Sequence, residues 1–138
     1  MKKVSEIMTS DVVLATPDQT ICDAAGMMAR ADIGSLPVGE DDRLVGMITD
    51  RDIVLRAVAQ GRDPLTSVRD VMSCKIQYCF DDEDVDSVAK NMAKLGVRRL
   101  PVLNRDRRLV GIVALSNIAH ANEGKATKNL LQGVAEPH

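Results

Sequence analysis

The chain has 138 residues, 45% of them hydrophobic, long enough for one compact unit that buries roughly two thirds of its unfolded surface. Its 18 Lys and Arg against 20 Asp and Glu leave a net charge of -2, which excludes a general pull toward nucleic acid or anionic lipid and makes any anion site a local one. One Tyr and one Phe exclude stacking platforms for single-stranded nucleic acid, so the aliphatic residues and Met must form the core.

No apolar run approaches the length of a membrane span, and MKKVSEIM carries an acid where a secretory leader would need its apolar stretch. No membrane partner is expected, and the location expected is cytoplasmic. The three cysteines, Cys22, Cys74 and Cys79, lack CxxC spacing, and only His120 and His138 could join them, so no metal site is expected. Cys74 and Cys79 could close a bond across a turn. Cys79 falls in an alternating apolar strand, where a buried reduced thiol is the commoner outcome.

In chain order, an apolar strand is predicted at Val12 to Ala15, followed by a helix with Asp18 as its candidate cap. Ile21, Ala24, Ala25 and Met28 supply the buried face of that helix at i, i+3, i+4 and i+7. A short LPV strand, the polar turn EDDR and the strand LVGMIT read as a hairpin, and a helix closes the segment. GRDPLTS, Gly61 to Ser67, has the composition of a link with a Ser or Thr cap.

The same grammar then returns. Val4 to Val38 lies over Val68 to Val102 without a gap, Met8 falling on Met72 and Leu36-Pro37-Val38 on Leu100-Pro101-Val102. One extra residue in the second turn, NRDRR, brings RLVGMITDRDI (Arg43 to Ile53) onto RLVGIVALSNI (Arg108 to Ile118). A second strand is predicted at Ile76 to Phe80, with Asp82 as candidate cap and Val85, Val88, Ala89 and Met92 as the helix face. Each copy is β-α-β-β-α, an α+β arrangement whose sheet has helices on one side and leaves apolar area for its twin to cover. The division expected is repeat 1 at 1–60, link at 61–67, repeat 2 at 68–122 and tail at 123–138. The tail, apolar at Leu130, Leu131 and Val134, either docks as a short helix or stays loose.

GMITDRD, Gly46 to Asp52, carries a Thr-x-x-Asp spacing at the strand-to-helix junction, and two readings of it stand side by side. One is a capping box, Thr49 and Asp52 each accepting the other's amide. The other is a ligand site: the junction's unpaired amides favour a phosphate beside Thr49, and the Asp52 carboxylate can accept from both hydroxyls of a ribose. The acidic run Asp81 to Asp86 complements a helix dipole more readily than it builds a hard-cation site. Neither a Ser-His-Asp nor a Cys-His constellation nor a P-loop is present, so an enzyme is not expected and no catalytic residue or catalytic cofactor is assigned.

The two VM motifs, the two LPV strands and the two junctions resemble tandem CBS domains, named after cystathionine β-synthase, over about Val4 to Asn122. The resemblance is nearest to small stand-alone bacterial members. It implies a pseudo-twofold disc with two clefts that bind adenosine-containing ligands (AMP, ADP, ATP, NAD or S-adenosylmethionine), a homodimer, and regulation of a separate effector protein rather than catalysis. It also implies that Thr49 and Asp52 face Val97, Arg98, Leu100 and Pro101 of the other copy, with Lys75 and Ile76 as cleft wall. Arg98 would reach phosphate, the alternative being a solvated strand edge.

In the twin cleft Ala114 replaces Thr49 and Asn117 replaces Asp52, facing Ile33, Gly34 and Ser35 without a base. Ser116, Thr9, Val13 and Thr16 would complete it. Two unequal sites follow, since each lost charge-assisted bond is worth roughly 1.5–3 kcal/mol. The alternative function is a ligand-free interaction disc, in which Thr49 and Asp52 only cap a helix.

Overall fold

Helix α1, Ile21–Ala31, starts where Thr20 turns extended and its side chain accepts the Asp23 amide. The cap is therefore Thr20 and not Asp18, which instead pairs with Arg69. In the second copy helix α3, Val85–Leu95, is capped by Asp84 through the Ser87 amide, and Asp82 is engaged by Arg105. A cap must sit on an extended residue two or three positions ahead of the amide it satisfies. Both helices end on a left-handed residue, Asp32 in the first and Gly96 in the second, where the last carbonyls are closed off.

The computed structural model describes residues 2–121; the predicted tail at 123–138 and His138 lie outside them. Strands β1 (Ser35–Glu40) and β2 (Arg43–Thr49) form an antiparallel hairpin whose two-residue turn places Asp41 and Asp42 at φ 54 and 63. Helix α2, Asp50–Arg56, follows at once. In the second copy, β3 (Cys79–Phe80) runs parallel to β4 (Arg99–Leu103), which pairs antiparallel with β5 (Leu109–Ala114) before helix α4, Leu115–Ala121.

The strand predicted at Val12 to Ala15 is reduced to one bridge, Ala15 with Val38, and that at Ile76 to Phe80 shortens to its last two residues. Pro17, which has no amide to donate, ends the first ladder early. The predicted cap in the link also fails: Ser67 makes no side-chain cap bond, and the Thr66 hydroxyl donates to the Asp63 carbonyl.

The chain divides into two units, Val13–Ile76 and the remainder on either side of it. The Val13–Ile76 unit is built on Ala15, Ile21, Ala24, Met28, Leu36 and Ile48, and Val68 and Val71 from a 3-10 turn at Val68–Asp70 complete its core. Ala25, predicted to be buried, is exposed. The other unit is built on Val85, Val88, Met92, Leu100 and Ile118, and Val4 from the turn Val4–Glu6 is fully buried in it.

Each turn is fastened by the methionine that follows. A Cβ on Gly46 would meet the Met72 sulfur at 2.7 Å, and one on Gly111 would meet the Met8 sulfur at 2.6 Å. Only glycine lets these backbones approach so closely. Main-chain pairs lock the same places: Met47 with Ser73, and Thr9 with Ile112.

Candidate functional site

The junction at the end of β2 holds both predicted bonds. The Asp52 amide donates to Thr49 Oγ1 at 3.0 Å, and the Thr49 amide donates to Asp52 Oδ2 at 3.0 Å. The capping-box reading is thus correct as geometry, and it leaves chemical capacity unused. A hydroxyl that accepts one amide still has a proton to donate. Asp52 keeps Oδ1, whose neighbour is Arg56 Nε at 3.9 Å. The carboxylate is 18% exposed, enough to be reached and little enough to be sheltered.

Arg56 was not singled out from the sequence, although its i+4 spacing from Asp52 was visible. Its Nη1 donates to the carbonyls of Val71 at 3.3 Å and Met72 at 3.2 Å, tying α2 to the Val68–Asp70 turn. The guanidinium is thereby held beside Asp52 with its Nε side toward the carboxylate.

The twin junction is one-sided. Asn117 Oδ1 accepts the Ala114 amide at 2.8 Å, but Ala114 has no oxygen to return the bond. Its carboxamide retains two N–H donors where Asp52 offers a charged acceptor. The two junctions therefore present different chemistry, a charged acceptor at one and neutral donors at the other.

The remaining predicted residues divide between the units. In the Val13–Ile76 unit, Ser35 pairs with Thr49 across the hairpin, and the Gly34 carbonyl accepts the Asp50 amide at 2.9 Å. Ile33, Gly34 and Ser35, expected in the weaker cleft, are thus backbone neighbours of the Thr49 junction within their own unit. Lys75 and Ile76 follow Ser73, which bridges Met47 on β2. Lys75 is exposed, as are Val13 and Thr16. In the other unit Arg99 pairs with Ala114, and the Arg98 carbonyl accepts the Leu115 amide at 2.9 Å. Arg98 is exposed, Val97 half-buried, and Leu100 and Pro101 buried in the sheet. Thr9 bridges Ile112 on the strand that leads to Ser116 and Asn117.

Elsewhere several charges have structural partners. Arg105 donates to both oxygens of Asp82 at 2.8 Å and lies 4.0 Å from the centre of the Phe80 ring. The guanidinium holds the Asp82 carboxyl below its usual range. Glu83 accepts the Phe80 amide and Asp84 caps α3, so three members of the acidic run have local structural partners. All three cysteines are free thiols, and only Cys79 is buried. Among the described residues no three His, Cys, Asp or Glu come together as a metal-binding group, and no helix is long and apolar enough to cross a membrane.

Both halves of the chain, residues 4–58 and 68–124, match the CBS domain family. The chain belongs to the CBS domain family. It is an α+β CBS pair of the small stand-alone kind, 42% identical over 119 residues to the CBS domain-containing protein YhcV of Bacillus subtilis, covering 86% of this chain and 84% of that one. Hypoxic response protein 1 of Mycobacterium tuberculosis is 35% identical over 139 residues, covering 99% and 96%. Among solved structures, Hypoxic Response Protein I with two coordinated zinc ions superposes on this CBS pair with a TM-score of 0.77, at 37% identity over 88% of this chain and 99% of that one. The CBS domain pair of protein MJ0100, solved with 5-methylthioadenosine and S-adenosyl-L-methionine, gives a TM-score of 0.72 at 30% identity, covering 88% and 95%.

Proposed function

We propose that this CBS pair is a regulatory module that senses an adenosine-containing nucleotide, of the AMP, ADP, ATP or NAD type. Binding would shift a conformational equilibrium that a separate effector protein reads, and the module would act in the cytoplasm as a homodimer without catalysing a reaction. The main cleft would use Thr49 and Asp52, with Val97, Arg98, Leu100, Pro101, Lys75 and Ile76 around the ligand. Asp52 Oδ1 takes the ribose hydroxyls, the Thr49 hydroxyl donates to phosphate, and Arg98 supplies the cation. The weaker cleft, on Asn117, Ser116, Thr9, Val13, Thr16 and Ile33 to Ser35, binds less tightly or holds a different ligand.

The observation that carries this reading is the difference between the junctions. A cap needs no charge, as Asn117 demonstrates by accepting the Ala114 amide with a neutral oxygen. Asp52 does the same work with a carboxylate whose second oxygen remains for another donor. The adenosine ligands of the MJ0100 pair support the ligand class. Its regulatory effect requires different affinity for two states of the module.

A thermal-shift panel of AMP, ADP, ATP, NAD and S-adenosylmethionine tests it. At least one raises the melting temperature of the wild type, and Asp52→Asn, which keeps the cap acceptor, removes that rise. A panel without any shift would favour the ligand-free interaction disc.

A further inference from the structure

Arg56 ends helix α2 four residues after Asp52, and its guanidinium is engaged on two sides. Nη1 donates to the Val71 and Met72 carbonyls at 3.3 and 3.2 Å, while Nε lies 3.9 Å from Asp52 Oδ1. That distance is longer than a hydrogen bond, so the positive charge stands beside the carboxylate without occupying the oxygen that faces it. An arginine free of the two carbonyls would close onto Oδ1 directly.

Packing does not account for this arginine. The turn that supplies the carbonyls has the same backbone bonds in both units: Val71 and Met72 donate to the Val68 carbonyl, and Ile7 and Met8 to that of Val4. Arg62 also holds the turn in the first copy, through the Asp70 carbonyl at 3.2 Å. Yet the twin of Arg56 is Ala121, just as the twins of Thr49 and Asp52 are Ala114 and Asn117. The guanidinium is present where the carboxylate is and absent where the carboxylate is absent, and the turn forms either way.

We infer that Arg56 is a positioning residue of the nucleotide site: pinned by the two carbonyls, it fixes the orientation of the Asp52 carboxylate and keeps Oδ1 open toward the ribose. The Thr49 amide grips Oδ2, and the charge beyond Oδ1 draws the other oxygen outward, so rotation of the carboxylate is restricted before a ligand arrives. A buried or sheltered acceptor held in this way discriminates between sugars, because a missing hydroxyl leaves it unmatched. The role rests on the reading of Asp52 as the ribose acceptor, and Arg56 itself touches no ligand.

Titration of wild type, Arg56→Gln and Arg56→Lys with AMP, ADP, ATP and NAD, each beside its 2′-deoxyadenosine counterpart, tests it. The wild type binds the ribose form about tenfold more tightly, the loss of one charge-assisted bond. Arg56→Gln, without the charge and the pinned Nε, binds the two forms within about threefold of each other. Arg56→Lys, which keeps a charge and can reach a carbonyl, falls between. A merely structural arginine would weaken both forms alike and leave their ratio unchanged. A wild-type ratio in Arg56→Gln, or in Arg56→Lys where the glutamine variant does not fold, overturns the positioning role and leaves the nucleotide reading standing. A wild type that binds none of these nucleotides, or prefers neither sugar, overturns the reading of Asp52 and the role of Arg56 together.

Discussion

The Cys79 thiol illustrates how one side chain reports its surroundings. Burial, and then the nearby charges of Glu83 and Asp81, push its pKa up to about 12 from an ordinary 9.0. The folded chain therefore holds this proton longer than the unfolded chain does. Its contribution to stability is complete below pH 9 or so and declines as pH rises toward 12. Thiolate is the reactive form, so at pH 8 iodoacetamide modifies Cys22 and Cys74 rapidly and spares Cys79 until the protein is unfolded; mass spectrometry of the alkylated peptides reads this directly. Modification of Cys79 at the rate of the other two would contradict its placement. Asp82 has the opposite sign. With its carboxyl held below the ordinary 3.8 by Arg105, its contribution is present above that value and lost as pH falls through the lowered one.

At the scale of elements, the hairpin turn and the two methionine contacts decide most. Asp41 and Asp42 occupy left-handed positions that Asn-Gly fills at less cost. The reverse holds at Gly46 and Gly111. Alanine at either drives a methyl into methionine sulfur and into a backbone oxygen, Ser73 at 3.0 Å or Thr9 at 2.9 Å. Each change should cost about 1–3 kcal/mol, the usual range for overpacking. A neutral result in urea unfolding would mean that the close contact is absent.

The same elements explain what the sequence reveals. The helix faces are legible because Ile21, Ala24 and Met28, and Val85, Val88, Ala89 and Met92, keep the helical period. The caps are less so: acids crowd both helix starts, and the choice falls on the residue whose backbone turns extended. Thr20 carried a signal in its spacing to Asp23, the same as Thr49 to Asp52. The burial of Val4 and Val68 had no local signature, since a 3-10 turn of three residues has no period to read. At the junction the residue types and spacing show the capping box and the i+4 position of Arg56, but the carbonyls of Val71 and Met72 that hold its guanidinium are distant in sequence.

On the scale of the molecule, duplication followed by divergence is the main feature. Both copies keep the hairpin, the glycine under methionine and the α1/α3 helix face. They differ at Thr49 and Ala114, Asp52 and Asn117, and Gly34 and Arg98. Packing is thus shared and polar chemistry is not, which is what the proposed inequality of the two clefts requires. Rebuilding the second junction as Ala114→Thr, Asn117→Asp restores the reciprocal bonds and should strengthen ligand binding there, seen as a second transition in a calorimetric titration.

The decisive comparison is isothermal titration of the wild type, Asp52→Asn and Asn117→Ala with whichever nucleotide shifts the melting temperature most. The account predicts one tight site per chain in the wild type, an affinity lower by about 10- to 100-fold in Asp52→Asn, as loss of a charge-assisted bond entails, and little change in Asn117→Ala. Equal affinities for wild type and Asp52→Asn, or loss of the tight site in Asn117→Ala, would contradict it.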